Sequence, residues 1–195
     1  MRFGNRVAPM RTKDEIEELA WCARSDLGLL PFERPPVLRL IELSLPRLIR
    51  NFSYEVVEAG KIGRAEALTY DNRPHIVFDE RTYRDLERDD GRARMTAMHE
   101  VGHLLLHTNQ TAHAFQAVPD RRLDPEWQAD VFAAAFLMPE CAFRQMTSIH
   151  QARMAFGVSR DAAWYRARSL KMRKMMNNPS RGKQKKKGYD KSRTP

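Results

Sequence analysis

The sequence predicts an α+β fold, a small antiparallel sheet packed against a mainly helical domain, and three observations carry that expectation. Apolar residues recur at helical spacing near the N-terminus and again through most of the chain after residue 91. Between those regions, residues 53–79 change to short β-rich runs separated by Gly60, Gly63 and an Asp71-Asn72-Arg73-Pro74 turn. With 195 residues, 42% of them hydrophobic and 30% charged, the chain is long enough for one domain with a substantial core and has the composition of a folded protein.

The elements follow in order. Residues 12–29 carry Ile16, Leu19, Ala20, Ala23 and Leu27 at helical spacing behind first-turn acids, which predicts an amphipathic helix. A second helix follows Pro35-Pro36, with Leu38, Ile41 and Leu45 on one face, and Pro46 is expected to kink or end it. Three runs, 54–57, 65–70 and 75–78, read as an antiparallel meander of two or three strands. A polar helical stretch around 83–88 and then Gly91 precede a helix over 92–107. A Pro-bounded loop leads to Pro125, suited to the first position of a helix over 126–138 that Pro139 breaks. Two more helical pieces are expected at 141–156 and 159–175, the latter capped by Ser159. Beyond Asn177 there is almost nothing to bury, which predicts disorder. The expected organisation is therefore a flexible leader at 1–11, a single domain at 12–175 and a basic tail at 176–195.

Charge locates partners. Of 34 basic and 25 acidic residues, 171–195 hold ten basic and one acidic, so residues 1–170 carry 24 of each and the basic balance belongs to the tail. Such a tail suits weak, sequence-independent contact with nucleic acid, or simply a solubilising terminus. The first residues lack an apolar core, so no secretory signal is expected. The longest apolar run, 131–138, is far short of the ~20 residues that a bilayer needs. Two distant cysteines, Cys22 and Cys141, make neither a disulfide framework nor a Cys-based metal site. A cytoplasmic protein without membrane contact is the expectation.

The segment MTAMHEVGHLLLH holds the chemistry. His99 and His103, four apart on a helix, project from one face and can share a divalent cation such as Zn2+. Glu100 lies on the adjoining face, within reach of a water at an open coordination position, as a general base. Gly102 in mid-helix costs about 1 kcal/mol relative to Ala, which predicts a neighbouring element passing close by. A chance occurrence on a packed helix is the bland reading, and the apolar setting argues against it.

Catalytic zinc sites hold three protein ligands. A third histidine in a Gly-x-x-His extension of the motif is excluded, because Leu106 and Asn109 occupy those places. His107, one turn past His103, is a further option, although three successive turns splay their side chains apart. Glu126 in DPEWQADVFAAAFLMP opens the next apolar helix and is the better candidate, with Asp130 one turn on to accept a ring N–H of a ligand histidine. Taken alone, Glu126 reads as a first-turn acid favoured by the helix dipole, and Asp130 as a surface residue.

RMTAMHEVGHLLLH followed by EWQADVFAAAFLMP resembles the ImmA/IrrE family of metallopeptidases, whose His-Glu-x-Gly-His helix precedes a Glu-x-x-Ala-Asn/Asp-x-Phe-Ala…Leu-Met-Pro helix. The resemblance extends more loosely to HIVFDE and FGVSRDAAWYRARSL, covering roughly 15–172. It implies a zincin-like domain with His99, His103 and Glu126 as zinc ligands and Glu100 as general base. Asp130 stands where the family has Asn or Asp, beside a ligand. Met95 departs from an aromatic common in relatives, a difference of packing. The resemblance also implies cleavage of a protein substrate, a DNA-binding repressor, in phage, mobile-element or stress regulation. Two other classes compete: a non-catalytic zinc-binding regulator, and a nucleic-acid-binding factor with a structural metal.

His75, His113 and His150 are isolated and are assigned no role. Trp164 and Tyr165 read as core residues. Residues 156–170 resemble half of a helix-turn-helix, against which a packing helix that completes the domain is favoured.

Overall fold

Short-range signals set most helix boundaries. The computed structural model describes residues 6–108, 113–114 and 120–177. In chain order the elements are β1 (Arg6–Val7), α1 (Lys13–Asp26), α2 (Val37–Arg39), a π-helical turn (Leu40–Ser44), α3 (Leu45–Leu48), β2 (Ser53–Val57), β3 (Ala67–Thr69), β4 (His75–Asp79) and α4 (Glu80–Glu87). There follow α5 (Gly91–His107), β5 (His113–Ala114), a 3-10 turn (Arg121–Leu123), α6 (Pro125–Leu137), α7 (Glu140–Phe143), α8 (Ile149–Phe156), α9 (Arg160–Ser169) and α10 (Arg173–Asn177). The tail expected at 176–195 lies outside the described residues after Asn177, as does most of the loop before α6. No helix among the described residues is long and apolar enough to cross a membrane.

Helix α1 opens with a reciprocal cap: Glu15 N–H donates to the Thr12 hydroxyl at 3.3 Å, and Thr12 N–H donates to the Glu15 carboxylate at 2.6 Å. Asp90 caps α5 by accepting from the N–H groups of Arg92 and Ala93, and Asp124 caps α6 by accepting from Glu126 N–H. Pro46, expected to kink or end the second helix, instead sits in the first turn of α3. The π turn before it changes the hydrogen-bond spacing where proline offers no donor, so the rod continues with Val37, Leu40, Ile41 and Leu45 buried.

The α+β class stands, but the sheet is mixed rather than an antiparallel meander. Its order is β2-β4-β3, with β2 parallel and β3 antiparallel to β4. The deciding property is the apolar run Ile76-Val77-Phe78, buried on both faces, which requires a central strand. The chain therefore passes from β2 to the far edge before returning through the hairpin.

Residues 6–11, expected to be a flexible leader, lie against the body. β1 pairs with β5, Ala8 N–H donates to Leu123 O at 2.9 Å, and Arg11 N–H donates to Arg122 O at 3.1 Å. The helix expected at 141–156 is two pieces, α7 and α8, with Ser148 capping the second. Trp164 and Tyr165 face solvent on α9 and touch edge to face; Ala163, Arg166 and Ala167 form the buried side instead. The turn between α8 and α9 presses on Gly91, where an added Cβ would stand 2.5 Å from Val158 C. The start of α9 is thereby packed against the domain.

Helix α6 is the centre of the core. It packs most heavily on α5 and next on α1, and Phe132, Ala133, Phe136 and Leu137 are wholly covered. Against α5 the approach is backbone to backbone, since a Cβ on Gly102 would lie 3.0 Å from Ala129 Cα. This is the close passage that the mid-helix glycine predicts. Buried arginines satisfy the carbonyls where helices end: Arg24 donates to Phe136 O at 2.7 Å and Arg166 to Met138 O at 3.0 Å.

Two outcomes follow from this packing. Gly102→Val, which forces a branched side chain into the crossing, should lower stability by about 1–3 kcal/mol in chemical denaturation; an unchanged midpoint would mean that α5 and α6 are not in contact there. Asp79 accepts from the Arg81 side chain, Gly60 N–H and Arg81 N–H, and these bonds hold its carboxyl well below the ordinary 3.8 despite burial. Its contribution to stability is complete above that ordinary value and is lost as pH falls through the lower folded-state value. The stability gap between the parent and Asp79→Asn should therefore be constant near neutrality and narrow in acid below about pH 4. A gap independent of pH would contradict this.

Candidate metal centre

The α5–α6 crossing fixes the site by helical periodicity. His99 and His103 stand three residues before and one after Gly102, and Glu126 and Asp130 stand three before and one after Ala129. On a helix those positions share the face that meets the partner. Four side chains from two stretches 23 residues apart at His103 and Glu126 are thus brought together on either side of one contact.

One ligand atom from each of His99, His103 and Glu126 lies within 4.8 Å of the others. The two Nε2 atoms are 3.0 Å apart. Glu126 sends Oε2 to within 3.3 Å of His99 Nε2 and Oε1 to within 3.6 Å of His103 Nε2. Two imidazole nitrogens and a carboxylate oxygen form a donor set that suits zinc, so these residues could hold a metal ion. His103 is buried, whereas Glu126 lies at the rim, which leaves one side of the cluster open to solvent.

The rings are turned by contacts at their other nitrogens. His99 Nδ1 is 2.8 Å from Asp130 Oδ1, so a carboxylate accepts its N–H and Nε2 faces the cluster. His103 Nδ1 is 3.0 Å from His107 Nδ1. His107, considered as a third ligand, stands behind His103 and reaches Gln128 Oε1 with its Nε2 at 3.0 Å. The reason is geometric: eight residues past His99 on a straight helix, its ring lies tilted against that of His103, with centroids 5.1 Å apart, away from the side where His99 and Glu126 meet.

Charge in the cluster favours a cation. Burial disfavours the imidazolium of His99, but hydrogen bonds to Asp130 and Glu126 and the charge of Glu100 outweigh it and push the ring up to about 10. Hydrogen bonds from His103 and His99 hold the Glu126 carboxyl well below the usual carboxylate range, against the opposing effect of burial. Burial acts on His107 in the other direction, down to about 4.

Glu100 is 7% exposed and accepts from the Thr69 hydroxyl at 2.8 Å. Thr69 ends β3 and lies 3.0 Å from Glu100 O as well, so the edge strand is tied to α5 beside the candidate base. No sequence pattern marks Thr69. Gln128 does carry a signal, a polar residue inside an apolar helix, and it is wholly buried. Of the histidines given no role, His75 bonds Ser53 Oγ through Nδ1 at 2.8 Å within the sheet, and His150 is exposed on α8. The side chain of His113 lies outside the described residues.

Residues 85–168 match the Peptidase_M78 family, described as the IrrE N-terminal-like domain. That stretch is similar to IrrE N-terminal-like domains. The IrrE-like segment includes both site helices and all four residues at the crossing. No curated protein matches the chain. A solved structure of a Mycobacterium tuberculosis transcriptional regulator is similar over 77% of this chain, with TM-score 0.51 and 15% identity. At that identity the likeness is one of fold. The matched region is 45% of the regulator, so this chain spans less than half of that protein's length.

Proposed function

We propose that this chain is a zinc-dependent endopeptidase of the ImmA/IrrE type that cleaves a regulatory protein in the cytosol, with a DNA-binding repressor as substrate. The convergence of His99, His103 and Glu126 beside the buried carboxylate of Glu100 carries this reading. The match of residues 85–168 to a peptidase family model supports it, and free cysteines at positions 22 and 141 suit a reducing compartment.

The reaction needs few parts. His99, His103 and Glu126 would hold a zinc ion, which when bound would supply the Lewis acidity that activates water and the scissile carbonyl. Glu100, the next residue after one ligand, takes the proton from the attacking water and returns it to the leaving amine. Thr69 holds the Glu100 carboxylate by its 2.8 Å hydrogen bond, so that the base does not sample unproductive rotamers. Asp130 fixes His99 with Nε2 toward the ligand cluster.

Labelling of new protein N-termini in cells tests activity and reveals the substrate in the same experiment. Cells that express the parent should gain termini that are absent with Glu100→Gln, while the two purified proteins hold equal zinc. In a cleavage assay on the substrate so found, Glu100→Gln should lose at least 100-fold in kcat, and Thr69→Val on the order of 10-fold. Identical termini from parent and Glu100→Gln would favour a zinc-binding regulator without turnover.

A further inference from the structure

We infer that His107 and Gln128 are positioning residues for His103, forming a relay anchored on the backbone that keeps the His103 proton on Nδ1 and turns Nε2 toward the metal. The inference rests on the metal-centre reading above and assigns two residues beyond it.

Gln128 is wholly buried. Its amide nitrogen donates to Pro9 O at 2.8 Å and to Arg122 O at 2.7 Å. A carbonyl oxygen can only accept, so two carbonyls use both amide hydrogens and define which end of the amide is nitrogen. The remaining oxygen, Oε1, must then accept, and it faces His107 Nε2 at 3.0 Å. His107 therefore carries its hydrogen on Nε2. Its Nδ1 lies 3.0 Å from His103 Nδ1, and a hydrogen bond between two ring nitrogens needs one bare lone pair. Metal ligation requires His103 Nε2 to be bare, which puts the His103 proton on Nδ1 and makes His107 Nδ1 the acceptor.

The relay has a consequence for both ligands. A ring N–H bonded to an acceptor fixes the tautomer and raises the basicity of the opposite nitrogen. His99 receives this from Asp130, an exposed carboxylate on α6. His103, on the buried side, receives it from a neutral side chain instead, which avoids placing a second carboxylate in the core. Because the anchors are Pro9 and Arg122, the orientation of His103 depends on the N-terminal segment and on the turn that precedes α6.

Histidine-ring 15N spectra of the full chain loaded with one equivalent of Zn2+ test the proton positions directly. The inference predicts His107 protonated on Nε2 with Nδ1 bare, and His103 protonated on Nδ1; a hydrogen on His107 Nδ1 would overturn it. Zn2+ affinity, read by competition with a chelator, separates positioning from packing. His107→Phe fills the space without an acceptor and should bind Zn2+ 10–100-fold more weakly. His107→Asn leaves a small gap but sets a carbonyl oxygen near the Nδ1 position, and should restore most of that loss. A packing role predicts the reverse order, and equal affinities for both variants and the parent would equally sink the relay. If His107→Phe does not fold, the ring spectra of the unmutated protein decide. A parent that takes up no Zn2+ would refute the metal centre itself, a result distinct from either variant outcome.

Discussion

The backbones of α5 and α6 approach so closely at Gly102 and Ala129 that one added methyl group would stand 3.0 Å from a Cα, and the site is a consequence of that approach. Larger residues at the crossing would push the two helices apart. His99, His103, Glu126 and Asp130 occupy equivalent positions on either side of the contact, so their mutual distances are set by helix geometry and not by flexible loops. Rigid elements hold ligands more narrowly than loops do. The glycine weakens its own helix and in return permits the contact.

A hydrogen-bonded shell holds this crossing in place. Asp90 and Asp124 start the two helices, Arg24 receives the carbonyl end of α6, and Thr69 ties the edge of the sheet to Glu100. Buried polar side chains of this kind are tolerable only when bonded. Gln128 meets that condition with three bonds, two to backbone carbonyls and one to His107. Gln128, His107 and His103 therefore form one connected chain from the N-terminal segment to the cluster.

Legibility in the sequence follows the range of the interactions. Helix starts at Thr12, Asp124 and Ser159 are local events, and the residues that make them are adjacent in the chain. The i, i+4 pair His99 and His103 is equally local. Pairing across the sheet is not, and the run Ile76-Val77-Phe78 points to a central strand only through its lack of alternation. Glu126 opens an apolar helix and is a candidate on that ground, but it has an ordinary reading as a first-turn acid, which only the family resemblance outweighs. Thr69, 31 residues from Glu100, and the buried arginines act through partners far away in sequence, which no short pattern records. Trp164 and Tyr165 face solvent although they read as core residues, because the face of α9 turned inward carries Ala163, Arg166 and Ala167 instead.

On this reading two imidazoles and one carboxylate of this chain bind the same ion. X-ray absorption at the zinc edge, on protein reconstituted with one equivalent of Zn2+, tests it most directly. The expected spectrum has nitrogen and oxygen donors alone, at about 2.0–2.2 Å, with imidazole scattering from two rings. Sulfur at about 2.3 Å, or the spectrum of the hydrated ion, would contradict it.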